Sequence, residues 1–282
     1  MMALTEPLAA KRSQLLTLLS SYGSCAVAFS GGVDSAVVAK AAQLALGDAA
    51  VLVTGTSAAM ADGELDAARE LADLIGVRHV IVPTEEFENP DYVANAPDRC
   101  YHCKTELYMQ IAVLTERLGV RVIVNGANTD DLGDYRPGMR AAREHDVCSP
   151  LAECGITKKE VRELAADWNL PVAEKPATPC LSSRVAYGEQ VTPQRLAMID
   201  GAEGILRSLG FRELRVRYHG GDMARIEVPL AELDQLCEFE TRAHIVKEFQ
   251  RLGFKFITLD LAGFRSGSLN RLISPTDVRR IS

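Results

Sequence analysis

Two cysteines three positions apart, Cys100 and Cys103 in "PDRCYHCK", have the spacing of a metal grip or a redox couple. Either use needs partners from elsewhere in the chain. Cys180, in "PCLSSR", stands beside Ser182, Ser183 and Arg184. A guanidinium near a thiol favours thiolate, the form that attacks electrophiles and binds metals. If the Cys180 segment folds over the same site, three thiols become available there. His102 is at hand as a fourth ligand for tetrahedral zinc, and three cysteines alone can hold a four-iron cluster with one iron open to an outside ligand.

A second constellation is "SGGVDS", Ser30 to Ser35. Gly31 and Gly32 permit backbone conformations closed to other residues and a close approach to a ligand. A helix beginning directly after them presents unpaired N–H groups and a positive dipole end, which together attract phosphate. Ser30 and Ser35 add hydroxyls. Asp34 has the wrong charge for a phosphate cradle, unless it caps the helix or helps to hold Mg²⁺ on the phosphates. Further along, "NGANTDDLGDYRPG" offers Asn128, Asp130 and Asp131 as Mg²⁺ or substrate contacts, the alternative being a solvated Asx-rich turn.

These residues need a frame. Apolar runs "CAVAF" (25–29), "AVLVT" (50–54), "HVIVP" (79–83) and "VRVIVNG" (120–126) alternate with helix-length segments. That pattern predicts βαβ units and a parallel sheet buried on both faces. Such sheets collect ligands at the carboxyl ends of their strands, where both the Ser30 loop and the Asn128 segment would lie. In "GITKKEVRELAADWNLP", Thr157 and Glu160 form a predicted capping box and Pro171 closes the helix. Residues 171–193 carry four prolines and no sustained period, as a long functional loop or linker does. Beyond them a helix (about 193–209), "ELRVRY", a Gly-Gly turn at 220–221, "ARIEV", a helix (about 230–251) and "KFITLDL" predict an αββαβ unit with an antiparallel hairpin. The expected organisation is a first domain over 1–180 and a smaller α+β domain over 181–282.

The composition fits this frame. The chain has 282 residues, 47% hydrophobic and 24% charged, with a net charge of −7, which argues against a nucleic-acid partner. Its N-terminal segment reads as an amphipathic helix, without a secretory leader, and no run approaches the roughly 18 apolar residues of a membrane span. A cytoplasmic protein is expected. Seven cysteines, an odd number, point to reduced thiols. Cys25 and Cys237 are expected to be buried packing residues, and the same reading is favoured for Cys148 and Cys154.

"SGGVDS" is neither a Walker A loop nor a dinucleotide fingerprint. It resembles the PP-loop of the ATP pyrophosphatase superfamily, whose members cleave ATP between the α and β phosphates. Taken with "CYHCK", "NGANTDDLGDYRPG", "SPLAECGITKKEVRELA", "KPATPCLSSRVAYGE" and "RVRYHGGDMARIEV", the likeness narrows to the LarE family of ATP-dependent sulfur transferases in nickel-pincer nucleotide biosynthesis, from about Leu15 to the "GFRSGSLN" tail. The resemblance implies an α/β PP-loop ATP pyrophosphatase domain followed by the smaller α+β domain. It implies adenylation of the carboxylates of pyridinium-3,5-biscarboxylic acid mononucleotide by ATP with Mg²⁺, then displacement of AMP by sulfur to leave thiocarboxylates. One branch of the family sacrifices the sulfur of the cysteine matching Cys180. In another, cysteines matching 100, 103 and 180 hold a [4Fe-4S] cluster, and the presence of all three here favours that branch. The likeness also assigns Arg215 and Arg217, alternating on one strand face, to the substrate phosphate near a subunit junction, and so implies a homo-oligomer; two solvated surface arginines are the alternative. Arg184 becomes a phosphate ligand or thiol activator. Glu203 and Asp234 are further candidates for a metal-associated acidic site, with exposed helical positions as the alternative. The rival functions are an amide-forming synthetase, a tRNA-thiolating PP-loop enzyme and a nucleotide sensor without catalysis.

Overall fold

The structure, a computed structural model, describes residues 4–132, 137–176 and 178–265. The chain divides into two compact units: Met1–Ser57, Gly63–Glu85 and Cys100–Thr178 form the first, and Ala58–Asp62, Glu86–Arg99 and Pro179–Ser282 the second. The tail motif from residue 266 onward lies outside the described residues.

The first unit is an α/β layer structure. Helix α1 (Glu6–Tyr22) leads into β1 (Cys25–Ala28), α2 (Val33–Leu46), β2 (Ala50–Thr56), α3 (Glu64–Ile75) and β3 (Arg78–Pro83). After the four-residue helix α4 (Pro90–Val93), which belongs to the second unit, come α5 (Arg99–Leu118), β4 (Val122–Val124), α6 (Pro137–Glu144), α7 (Pro150–Glu153) and α8 (Lys158–Asp167). The four strands pair in parallel in the order β3-β2-β1-β4. All four β1 residues are buried, as expected of a strand covered on both faces. On one face Leu15 and Leu19 of α1, Val37 and Val38 of α2 and Val161 and Leu164 of α8 share a core with Cys25 and Val27. On the other, Ala26, Val51 and Val53 pack with Tyr108 and Ile111 of α5. The Thr157–Glu160 capping box that starts α8 is formed as predicted.

The second unit contains α9 (Pro193–Ser208), β5 (Arg215–His219), β6 (Met223–Glu227), α10 (Leu233–Cys237), α11 (Phe239–Leu252) and β7 (Phe256–Leu259). β5 and β6 form the expected antiparallel hairpin, and β7 joins β6 in parallel. Two expectations need correction. The helix predicted over 230–251 is broken, because Glu238 adopts an extended conformation (φ −55°, ψ 142°) between α10 and α11. Cys237 is exposed rather than buried: α10 ends on it, and the core position falls to Leu236. Cys25, by contrast, is buried, and burial pushes its thiol up to about 12.

Close packing joins β4 to the turn that follows β1. A Cβ on Gly126 would stand 2.7 Å from the backbone nitrogen of Ser35 and 2.9 Å from the Asp34 carbonyl carbon, so only glycine fits. Gly126→Ala is expected to cost about 1–3 kcal/mol in urea unfolding, the usual penalty of overpacking. Stability also depends on pH. Burial holds His79 and His219 below the ordinary imidazole value of 6.5. The unfolded chain takes up protons that these folded imidazoles refuse, so their contribution is complete above pH 6.5 and is lost as pH falls through the depressed values. Denaturant midpoints measured from pH 8 to pH 5 should fall, and His79→Asn should flatten the decline.

Candidate functional site

Ser30–Gly32 connects β1 directly to α2, whose N-cap position is Gly32. Gly31 sits at φ +69°, in the left-handed region, and a Cβ there would crowd Ala68 at 3.3 Å. The turn closes on the Ser35 hydroxyl. It donates to the Gly32 carbonyl (3.0 Å) and accepts from the Ser30 amide (3.2 Å), with the Ser30 hydroxyl also at 3.2 Å. The first-turn N–H groups of an α-helix have no intrahelical acceptor, and here they follow directly on that turn. Entry to the turn is fixed one residue earlier. The Thr54 hydroxyl donates to the Phe29 carbonyl (2.7 Å), so His79 Nε2, at 2.8 Å, is the donor to Thr54 Oγ1.

Asp34 is the second residue of α2, not its cap. Its Oδ1 accepts from Asn128 Nδ2 (3.1 Å), and its Oδ2 from Lys158 Nζ (2.5 Å). Asn128 is buried and caps a short turn: its Oδ1 accepts from the Asp130 amide, while Asp131 Oδ2 accepts from the Asn128 amide, each at 3.0 Å. Asp130 Oδ2 in turn accepts from the Lys158 amide (3.0 Å). Ser30, Gly31, Gly32, Asp34, Ser35, Asn128 and Asp131 are thus brought together at the ends of neighbouring strands. Sequence reasoning missed Lys158 and Gly126. Lys158 was legible only as a capping-box neighbour, and Gly126 carries no local signal beyond being a glycine after a strand.

In the second unit Cys180 precedes a short 3-10 turn, Leu181–Arg184. Its carbonyl accepts three donors: the Ser183 amide (3.0 Å), the Ser183 hydroxyl (2.7 Å) and Arg184 Nη1 (2.9 Å). The backbone is therefore held while the side chain stays exposed. Arg184 is buried, donates also to the Pro179 carbonyl, and pairs through Nε with Glu203 Oε1 (3.1 Å). The Ala58–Asp62 and Glu86–Arg99 segments complete the clamp. Leu181 N donates to the Ala59 carbonyl (2.9 Å), Tyr92 OH lies 2.7 Å from Ser182 Oγ, and Arg99 Nη1 donates to the Ser182 carbonyl (2.7 Å). Asn95, buried at φ +57°, directs its amide nitrogen to the carbonyls of Ala186 (2.9 Å) and Glu189 (3.0 Å). None of these clamp residues was legible in the sequence, because each acts on a segment 83 or more positions away.

Glu203 is fully buried, which corrects the exposed alternative. It lies among Ile199, Ala202 and Leu206 on the apolar stripe of α9, a period that marks it as a core position. It accepts from Arg184, from Arg207 Nη2 (2.8 Å) and from the Val216 amide (3.2 Å). A second buried carboxylate, Glu227, accepts from Arg217 Nε (3.1 Å) and Arg225 Nη2 (3.0 Å), while Arg217 Nη1 reaches the Ser183 carbonyl (3.1 Å). Arg217 is therefore buried rather than on a solvated strand face. Arg215 is half-buried, and its pKa is pushed down first by burial, with Arg184, Arg217 and Arg207 adding to the shift and Glu203 opposing them. Asp234 is exposed on α10. Cys100 is exposed near the start of α5 and Cys103 is half-buried. Cys148 and Cys154 are partly buried against the core of the first unit, and burial raises both thiols. Among the described residues no three His, Cys, Asp or Glu side chains are grouped as a metal-ion site. Glu203→Ala, which leaves Arg184 buried without its carboxylate, should cost about 3–5 kcal/mol, read as a lowered unfolding midpoint.

Comparison with known proteins adds identity to this geometry. The asparagine synthase family model matches residues 17–123. An uncharacterized protein of Synechocystis is 43% identical, with 95% of this chain and 99% of the relative covered. Pyridinium-3,5-bisthiocarboxylic acid mononucleotide synthase of Lactiplantibacillus plantarum is 38% identical over 93% of this chain and 95% of its own length. An uncharacterized protein of Methanocaldococcus jannaschii is 31% identical over 62% of this chain and 67% of its own. With identity at that level over nearly the whole chain, on a parallel sheet with a glycine turn after its first strand, the chain is an ATP-dependent sulfur-transferring enzyme and belongs to the LarE family, that of the pyridinium-3,5-bisthiocarboxylic acid mononucleotide synthases.

Proposed function

We propose that this enzyme adenylates the carboxylates of pyridinium-3,5-biscarboxylic acid mononucleotide and converts them to thiocarboxylates for a nickel-pincer nucleotide, in the cytoplasm and as a homo-oligomer. The observation that carries the reading is Cys180: an exposed thiol on a backbone whose carbonyl is held by three donors. A thiolate that holds a sulfur-carrying cluster, or that gives up its own sulfur, needs that combination of access and fixed position.

The first step joins a substrate carboxylate oxygen to the α-phosphorus and breaks the bond to pyrophosphate. The turn at Ser30–Ser35 receives the leaving pyrophosphate on its helix N-terminus, with Asp34, oriented by Asn128, as the carboxylate that would hold Mg²⁺ there. In the second step sulfur attacks the acyl carbon and AMP leaves. Arg184 serves as a positioning residue, because its donors go to main-chain carbonyls and Glu203. Arg215 is the contact for the substrate phosphate, as the resemblance implies, and Arg217 supports the loop at Ser183.

Cys100 and Cys180 are exposed and Cys103 is half-buried, and the resemblance implies these three as the thiolate donor set. When bound by them, a [4Fe-4S] cluster supplies an iron position open to an added sulfide. Anaerobic purification with iron and sulfide analysis, followed by intact mass before and after turnover, tests this. Unchanged mass with repeated turnover on added sulfide is the expected result; loss of one sulfur from the chain would instead make Cys180 the donor. Sulfur transfer to tRNA would overturn the substrate assignment. Cys180→Ala should retain substrate-dependent pyrophosphate release and lose thiocarboxylate formation, followed by mass spectrometry of the nucleotide.

A further inference from the structure

We propose that Arg99 is a positioning residue for the sulfur step: it fixes the turn that presents Cys180 and so keeps sulfur transfer coupled to adenylation. The inference rests on the sulfur-transfer reading of Cys180 and adds a residue from outside the thiol set.

Arg99 is 5% exposed, and a guanidinium is taken out of water at high cost unless its donors are used. It is the first residue of α5, the end of a helix where the dipole disfavours a cation, so helix stability does not account for it. The two hydrogens of its Nη1 go to Asn95 Oδ1 (2.5 Å) and to the Ser182 carbonyl (2.7 Å). That same carbonyl accepts the Val185 amide (3.2 Å), the bond that closes the 3-10 turn Leu181–Arg184. Arg99 therefore grips the turn at the oxygen on which its shape depends.

Two other guanidiniums hold the same stretch. Arg184 takes the Pro179 and Cys180 carbonyls and Arg217 takes that of Ser183, each backed by a buried glutamate. Arg99 takes the Ser182 carbonyl between them, and it does so from the residue that directly precedes Cys100 in the chain. Asn95 sets its approach, since the Asn95 amide nitrogen is itself tied to the carbonyls of Val185 (3.3 Å) and Ala186 (2.9 Å). The need for such a grip is chemical. An acyl adenylate left waiting is open to water, whose oxygen adds to the acyl carbon and restores the carboxylate while AMP leaves and a proton is released. Sulfur wins only if it is held at attack distance, and a misplacement of about 1 Å costs roughly a hundredfold.

The test is the yield of thiocarboxylate per pyrophosphate released in the first turnover of the intact protein, by mass spectrometry of the nucleotide and a pyrophosphate assay. Arg99→Met should release pyrophosphate within about twofold of the unaltered rate and lower the yield roughly tenfold or more. Arg99→Lys, which keeps the charge but not the planar fork, should restore part of that loss. Phe249→Leu is the control: a fully buried core residue of α11 in the same unit, its truncation lowers stability away from the turn, and the yield should hold. An equal fall in Phe249→Leu would reduce the effect to lost stability and overturn the proposal. So would an unaltered yield in Arg99→Met, or pyrophosphate release falling in step with thiocarboxylate. If Arg99→Met does not fold, Arg99→Lys decides, and a full yield there overturns the proposal. Pyrophosphate release without any thiocarboxylate from the unaltered protein would remove the sulfur-transfer reading itself, a result distinct from a change confined to the variants.

Discussion

Strand β1 is only four residues long, yet it is paired in parallel on both sides, with β2 and with β4. Because neighbouring parallel strands end on the same edge, the turn after β1 and the segment after β4 are forced into contact. Gly126 lies against the backbone of Asp34 and Ser35, and Asn128 donates to Asp34. The shape of the Ser30–Ser35 turn is therefore a property of the pair of strands rather than of the hexapeptide. A glycine turn of the same composition on an unpaired strand would keep its flexibility and lose its shape.

In the second unit the organising groups are two buried carboxylates. Glu203 and Glu227 each accept from two arginines. A buried ion pair is weak evidence of net stability, since desolvation offsets much of the attraction, but removing one member leaves an uncompensated charge. Their evident effect is geometric. Arg184 and Arg217 are fixed by carboxylates and then bond the carbonyls of Cys180 and Ser183. Arg215 lies half-buried on the same strand as Arg217.

Much of this was legible before the structure. The apolar runs predicted the four parallel strands, and the change of pattern past residue 193 predicted the α+β unit with its hairpin. The Thr157–Glu160 spacing predicted the start of α8. Errors arose where the outcome depended on an unseen neighbour. Cys237 was assigned to the core on residue type alone, whereas the end of α10 turns it outward. Glu203 was weighed as a surface acid, although its place on the stripe of α9 contained the information that it is buried.

Local chemistry and periodicity determined the elements, the glycine turn after β1 and the list of thiols, because those depend on spacings of a few residues. Lys158 against Asp34, Gly126 against Ser35 and the clamp of Tyr92, Asn95 and Arg99 on the Cys180 loop were decided only by tertiary packing. Each joins positions about ninety or more apart, and an ammonium or amide satisfies whichever acceptor the fold brings within about 3 Å. No local pattern records which acceptor that will be.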